Sequence, residues 1–459
     1  MLFSSIPFLY YFLPAVLAVY FLVPRGAKNG VLLVSSLIFY GWGEPRYLLL
    51  MAGTILLFYL CGLAMGRAET DRRKKLWLWI SVAVGIALLA VFKYADFFIG
   101  SVAAVTGLNL KLLRLALPIG ISFYTFQCIS YVADVYRGAV PPQRSLVNFG
   151  AYVALFPQLI AGPIVRYADI ARELESRQTG WEDLRIGLRR FLLGLGKKVL
   201  LANQLGQLTE IFRGSGEKSV LFSWMYAIAF ALQIYFDFSG YSDMAIGLGR
   251  IFGFRFNENF NHPYCSRSVT EFWRRWHMSL GSWFRDYVYI PLGGSRVSRG
   301  RWVCNILAVW MLTGLWHGAS WNFVVWGLFF GVLLMLEKWL KPDRLPHQLR
   351  RGYVLLAVVV SFVIFNAANL SQATGDLAGM FGLAGLPLST AETVYYLRSY
   401  AIVLAAALIG ATPLVKNLAV RLPERVAFWL EPVVLAALLL ICTAYLVDGS
   451  FNPFLYFRF

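Results

Sequence analysis

Two histidines, His277 and His317, are the side chains of this sequence best suited to moving a proton near neutral pH, because imidazole titrates there. Both fall within residues 235–323, a stretch that holds three of the four histidines of a 459-residue chain. It reads YFDFSGYSDMAIGLGRIFGFRFNENF, then EFWRRWHMSLGSWFRDYVYIPLGG and, after one apolar span, TGLWHGASWNF. The histidines therefore sit in polar breaks among long apolar segments. Ionisable groups at such depth are costly to keep and usually functional. A base of this kind can take the proton of a hydroxyl as that hydroxyl attacks an electrophile. Spacing alone leaves open the alternative of a structural histidine bonded to a backbone carbonyl.

The residues around them extend this reading. Helical periodicity places Trp273, His277, Leu280 and Phe284 on one face and Arg274, Met278 and Arg285 on the next. This predicts an interfacial amphipathic helix; the alternative is a tilted helix whose histidine simply packs. Arg274, Arg275 and Arg285, helped by Lys197 and Lys198, are placed either to hold donor phosphates or to anchor lipid headgroups. Asp237 and Asp243 flank SGYS, where they can cap a broken helix, orient a histidine or bond a substrate hydroxyl. Asn322 can position His317 or donate to a developing oxyanion, or cap a turn. The last nine residues, FNPFLYFRF, carry five aromatics and a single hydroxyl, that of Tyr456. Such a tail suits an aromatic belt at a membrane interface.

Composition dictates what must position these groups. Hydrophobic residues make up 59% of the chain and charged ones 14%, well under the roughly one quarter of an ordinary soluble globule. The chain is expected to be an all-helical, polytopic membrane protein. Its net charge of +18 comes from short Lys/Arg clusters between apolar spans, which set orientation and attract anionic headgroups. That distribution argues against a nucleic-acid partner. The five cysteines are scattered without metal-ligand spacing and read as small core residues, so no metal is expected.

Spans are predicted near residues 6–24, 30–43, 46–66, 76–98, 303–316, 319–338, 352–370, 395–413 and 427–447, about ten or more in all with those of the middle region. The first lacks a basic start and a cleavage site, so it reads as a retained span. Basic connections at 24–29, 67–75, 137–144, 166–190, 267–301, 338–351 and 416–425 are expected on the cytoplasmic side. The N-terminus then lies outside, and the final span runs outward. Between Leu115 and Phe260 the apolar sequence is interrupted by Pro118, Gly120, Pro157, Gly162, Pro163, Gly194, Gly196 and a Gly-rich run from 240 to 253, which predicts kinked or re-entrant helices around a cavity. Residues 1–459 are read as one membrane domain, with 451–459 as its tail.

The WRRWH and WHG strings, with LPIGISFYTFQCISYVADVYRG and FPQLIAGPIVRY upstream, resemble the membrane-bound O-acyltransferase family, in its bacterial branch that O-acetylates cell-surface polysaccharides. The resemblance covers most of the chain. It implies a helical fold around a central cavity, with His317 and His277 as the two site histidines. It further implies an acetyl donor from the cytoplasm, acetyl-CoA, an extracytoplasmic acetyltransferase as partner, and a polysaccharide as indirect acceptor. The C-terminal string is similar to the acyl-relay tail of Gram-positive relatives, which implies that Tyr456 accepts the acyl group on its phenol and passes it on. Two other readings remain: a flippase for a lipid-linked sugar, which would also use a midplane cavity and broken helices, and an acyltransferase of this family acting on lipids or proteins.

Overall fold

The computed structural model of the chain describes residues 1–160, 162–340, 345–449, 451–453 and 455. These are helical, with no strand among the described residues, as the composition leads one to expect. Among the described residues, seven helices are long and apolar enough to cross a membrane: Pro45–Arg67, Asp71–Thr106, Val220–Ile251, Trp321–Leu340, His347–Asn366, Ala391–Gly410 and Glu424–Asp448. The shorter apolar helix Phe8–Leu22 lies where the first span is expected, and the helices Lys28–Gly43 and Arg299–His317 lie at the expected spans 30–43 and 303–316 but are not among those long and apolar enough to cross.

The chain forms two compact units, one of Met1–Phe191 with Ser242–Asn257, the other of Leu192–Tyr241 with Glu258–Phe459. In the first, polar side chains tie together segments far apart in sequence. Arg177 donates through Nε to the Tyr20 hydroxyl and the Phe252 carbonyl, both at 3.0 Å, and through Nη1 to Asn29 Oδ1 at 2.6 Å. Asn29 in turn donates to Asn148 Oδ1 and the Leu174 carbonyl, each at 2.7 Å. A guanidinium offers five donors in one plane, so this half-buried arginine can bind several oxygen acceptors from distant segments at once.

The second unit is built on a large aromatic and aliphatic core that includes Phe230, Phe272, Trp276, Phe323, Trp326, Phe330, Phe362 and Phe365. One of its buried carboxylates, Glu337, lies 8% exposed near the end of the helix Trp321–Leu340. It accepts the backbone N–H groups of Val269 at 2.5 Å and Thr270 at 2.9 Å and the Thr270 hydroxyl at 2.8 Å. These are donors at the start of the helix Val269–Arg275, which has no internal partner for them, and a negative charge there also meets the positive end of the helix dipole.

The Gly-rich run does not break its helix. Val220–Ile251 is one uninterrupted helix of 32 residues, and it stops only at Gly253, whose φ of +85° supports a Schellman cap: Phe254 N–H bonds the Gly249 carbonyl and Gly253 N–H that of Arg250. The interior glycines instead permit backbone contact. A Cβ on Gly247 would stand 2.6 Å from the Gly187 carbonyl, and one on Gly187 2.6 Å from that of Gly247. Close approach through small residues is how helices associate where lipid removes the hydrophobic drive. Upstream the helices are broken as expected: Leu146–Ala154 and Phe156–Leu159 are separate, with Pro157 in the first turn of the second, and Gly120 turns into Ile121–Tyr136 at φ +73°. Gly247→Ala should therefore destabilise the protein by about 1–3 kcal/mol, while Gly53→Ala, in a helix with nothing within 4 Å of a new Cβ, should not. Thermal unfolding of both variants in detergent checks this; equal midpoints would remove the glycine contact from the packing.

Candidate active site

His317 is the last residue of the helix Arg299–His317 and is followed by the extended Gly318 and, after a short turn, the helix Trp321–Leu340. The two helices run back to back because glycines face them. A Cβ on Gly314 would collide with the Phe323 carbonyl, and one on Gly327 with the Trp310 carbonyl. Backbones pressed this closely hold the His317 Cα rigidly. Its ring, 9% exposed, stands edge-to-face with Trp316, Trp326 and Phe365, at centroid distances of 4.9, 5.1 and 5.2 Å. Three bulky walls at such angles fix an imidazole that has few rotamers left.

His277 departs from the amphipathic helix expected for it. The segment is two short helices, Val269–Arg275 and Met278–Phe284, and His277 stands between them with φ +46° and ψ +53°. A left-handed backbone at a non-glycine residue is strained and marks a position held by its surroundings. Here the holder is Asn259. Its carbonyl O accepts the Met278 N–H at 3.0 Å, and its Oδ1 meets the Ser279 N–H at 3.3 Å, the Ser279 hydroxyl at 2.9 Å and His277 Nδ1 at 3.1 Å. Since a backbone N–H can only donate, the Asn259 atom it meets is oxygen, and His277 Nδ1 must carry the proton. Nε2 is then the lone-pair nitrogen, buried and without a hydrogen bond among the described residues. His277 lies outside the candidate spanning helices, and burial pushes its pKa down to about 3, so the ring is neutral.

The two histidines come together through one indole: the Trp316 ring lies 5.7 Å from that of His277 and 4.9 Å from that of His317. Only His317 lines the adjoining cavity, with Ile234, Asp237, Phe238, Trp276, Trp326, Phe362, Phe365 and Leu455. His277 lies behind Phe238, at 4.6 Å and nearly perpendicular. Leu455 brings the C-terminal segment into the site. Its N–H donates to Asp237 Oδ2 at 3.0 Å, Asp237 Oδ1 pairs with Lys198 Nζ at 2.5 Å, and Lys198 Nζ also donates to the Pro453 carbonyl. Lys198 stands in a π-helical turn, Lys197–Ala202, a form common at functional sites. Tyr456, with Phe454, Phe457 and Phe459, lies outside the described residues.

The other polar positions singled out by sequence are used differently. Asp237 and Asp243 lie inside one continuous helix and cap nothing. Asp237 binds Lys198 and the tail, and Asp243 pairs with Arg190 at 2.9 Å in the other unit. Lys198 is buried and so is not an open phosphate clamp. Arg275 pairs with Glu271 at 2.6 Å and Arg285 with Asp286 at 2.6 Å; Arg274 is exposed. None of the three lines the His317 cavity. Asn322 is buried, and its amide donates to the carbonyls of Ala367 at 2.8 Å and Ile364 at 3.4 Å, which fixes the helix carrying Phe365 beside His317. Sequence reasoning passed over Asn259, Glu337 and the aromatic walls, because no spacing links residues 259, 316, 326 and 365.

A rigid imidazole on a cavity, a second neutral imidazole behind a shared tryptophan and a helical membrane scaffold fit acyl transfer, and related sequences agree. The sequence pattern described as MBOAT, membrane-bound O-acyltransferase family, matches residues 139–370. The chain is 40% identical over 486 residues to the "Probable alginate O-acetylase AlgI" of Pseudomonas putida, covering 100% of both. It is 33% identical over 432 residues to the peptidoglycan O-acetyltransferase of Helicobacter pylori, covering 84% of this chain and 81% of that one. To the teichoic acid D-alanyltransferase of Bacillus subtilis it is 30% identical over 268 residues, 53% of this chain and 65% of that one. The chain thus belongs to the membrane-bound O-acyltransferase family and is a multi-pass membrane O-acyltransferase.

Proposed function

We propose that this protein performs the membrane step of cell-surface polysaccharide O-acetylation in a bacterial cytoplasmic membrane. It takes acetyl from a cytoplasmic thioester, acetyl-CoA, and delivers it towards an extracytoplasmic acetyltransferase that modifies the glycan. The observation that carries this reading is the cavity that His317 shares with Leu455, the residue next to Tyr456. The names of relatives matched over four fifths or more of their length, an alginate O-acetylase and a peptidoglycan O-acetyltransferase, support acetyl and a surface glycan.

In this mechanism the hydroxyl of Tyr456 is the first acceptor. A phenol with a pKa near 10 is a poor nucleophile at neutral pH, so it needs a base, and His317 takes its proton as the oxygen attacks the thioester carbonyl. The C–S bond breaks, the thiolate leaves and recovers a proton from the imidazolium, and the acetyl group remains as an aryl ester. A second transfer to the partner's nucleophile regenerates the phenol. His277, set back from the cavity, orients Trp316 and through it His317, a positioning role that the asparagine-fixed tautomer supports.

Three substitutions test the roles. His317→Ala should lower glycan acetylation by about 10²–10⁴-fold while the protein still inserts and folds; acetylation retained in a background lacking the wild-type gene would take His317 out of catalysis. His277→Ala should cost less, about 10²-fold at most, as expected for misplacement of a catalytic group, and normal turnover would leave it as packing. Tyr456→Phe should still hydrolyse or bind labelled acetyl-CoA yet acetylate no glycan, and the wild type should carry a trappable acetyl group on Tyr456 by mass spectrometry. Full acetylation in the phenylalanine variant would reduce the tail to an interface anchor.

A further inference from the structure

We propose that the buried Lys198–Asp237 pair is the seat of the C-terminal tail, and that these two residues set the register in which the tail enters the His317 cavity. Both side chains are 4% exposed. Taking two charges out of water costs several kcal/mol per ion, which mutual attraction repays only where their remaining hydrogen-bonding capacity is also used. Here the tail uses it. Lys198 Nζ donates to Asp237 and to the Pro453 carbonyl, and Asp237 accepts from Lys198 and from the Leu455 N–H. Remove the tail and the pair loses a partner on each side; remove the pair and the Leu455 amide is stranded at an apolar cavity while the Pro453 carbonyl loses its donor.

Two further contacts lie along the same segment. The Asn203 amide donates to the Asn452 side chain at 3.2 Å, and a Cβ on Gly206 would stand 3.0 Å from the Phe451 ring. The seat therefore grips residues 451, 452, 453 and 455, and it grips the last two by main-chain atoms. Main-chain recognition ignores side-chain identity but fixes register: with the Pro453 carbonyl on lysine and the Leu455 N–H on aspartate, Leu455 is the residue set in the cavity wall. Lys198 and Asp237 are thus positioning residues, and their bearing on transfer rests on the reading of Tyr456 as the relay, while the seat itself does not.

The test is hydrogen–deuterium exchange of the full-length protein in detergent, followed on the peptide covering residues 449–459. The wild type should exchange slowly there. Lys198→Met and Asp237→Asn should each raise the rate about tenfold or more, with exchange in the helix Arg299–His317 unchanged as evidence of folding. The reversed pair, Lys198→Asp with Asp237→Lys, restores the charges but exchanges donor and acceptor, so exchange of the tail should stay fast. Slow exchange in the reversed pair would make the pair a neutralising contact only and overturn the seat. Should the pair variants fail to fold, Asn203→Ala leaves the pair intact and should still speed tail exchange, by a smaller factor; no change there overturns the proposal too. Glycan acetylation on the same variants separates the two ideas: fast exchange with full acetylation keeps the seat and removes the relay, whereas slow exchange removes the seat whatever the acetylation.

Discussion

Backbone-to-backbone contact at glycine is the constraint on which the site unit depends. Lipid tails are as apolar as leucine, so helices in a membrane gain little by hiding apolar surface from one another and must gain by touching closely. Gly314 and Gly327 let the helices Arg299–His317 and Trp321–Leu340 meet carbonyl to Cα, and His317 is the last residue of one of them. A larger side chain at either glycine would part the helices and move the imidazole. The same device recurs at Gly240, where a Cβ would stand 2.7 Å from the Gly194 carbonyl, on the helix that carries Asp237.

Once helices are this close, each buried polar group must find its partner inside the protein. Glu337 answers the free donors of one helix start, Asn259 answers those of the next and fixes the His277 tautomer, and Asn322 answers carbonyls at the end of a third helix. None of these lines the cavity, yet each holds an element that contributes to its wall or lies next to one that does. Low dielectric raises both the worth of a satisfied bond and the cost of a missing one. A site of this kind is therefore rigid at its polar joints, with aromatic walls filling the space between them.

The cavity itself is mostly apolar, with His317 and Asp237 as its ionisable members. Their partners differ in kind. Asp237 is tied by an ion pair and a main-chain amide, which leaves it little freedom to serve as a base. His317 is walled by rings, which constrain its direction without neutralising it. This difference is compatible with the proposed roles of the imidazole in proton transfer and of the carboxylate in tail binding.

Much of this was legible in the sequence. Apolar runs of spanning length fixed the helical class and most span positions, because a bilayer admits backbone only where its bonds are made locally. The WHG and WRRWH strings singled out His317 and His277, which the fold buries against one tryptophan. What sequence misread were features decided by neighbours. The glycines from 240 to 253 look like breaks, since glycine costs about 1 kcal/mol in an isolated helix, but facing carbonyls turn them into contacts. The 273–284 segment has helical periodicity, yet Asn259, from a loop that no spacing connects to it, holds His277 in a left-handed turn. Asp237 reads as a cap and Lys198 as a surface cation until Leu455 and Pro453, each more than two hundred residues away in the chain, are placed against them. Periodicity and composition record what each segment buries; only the folded chain determines which distant groups share that burial, because pairing across such separations leaves no local pattern.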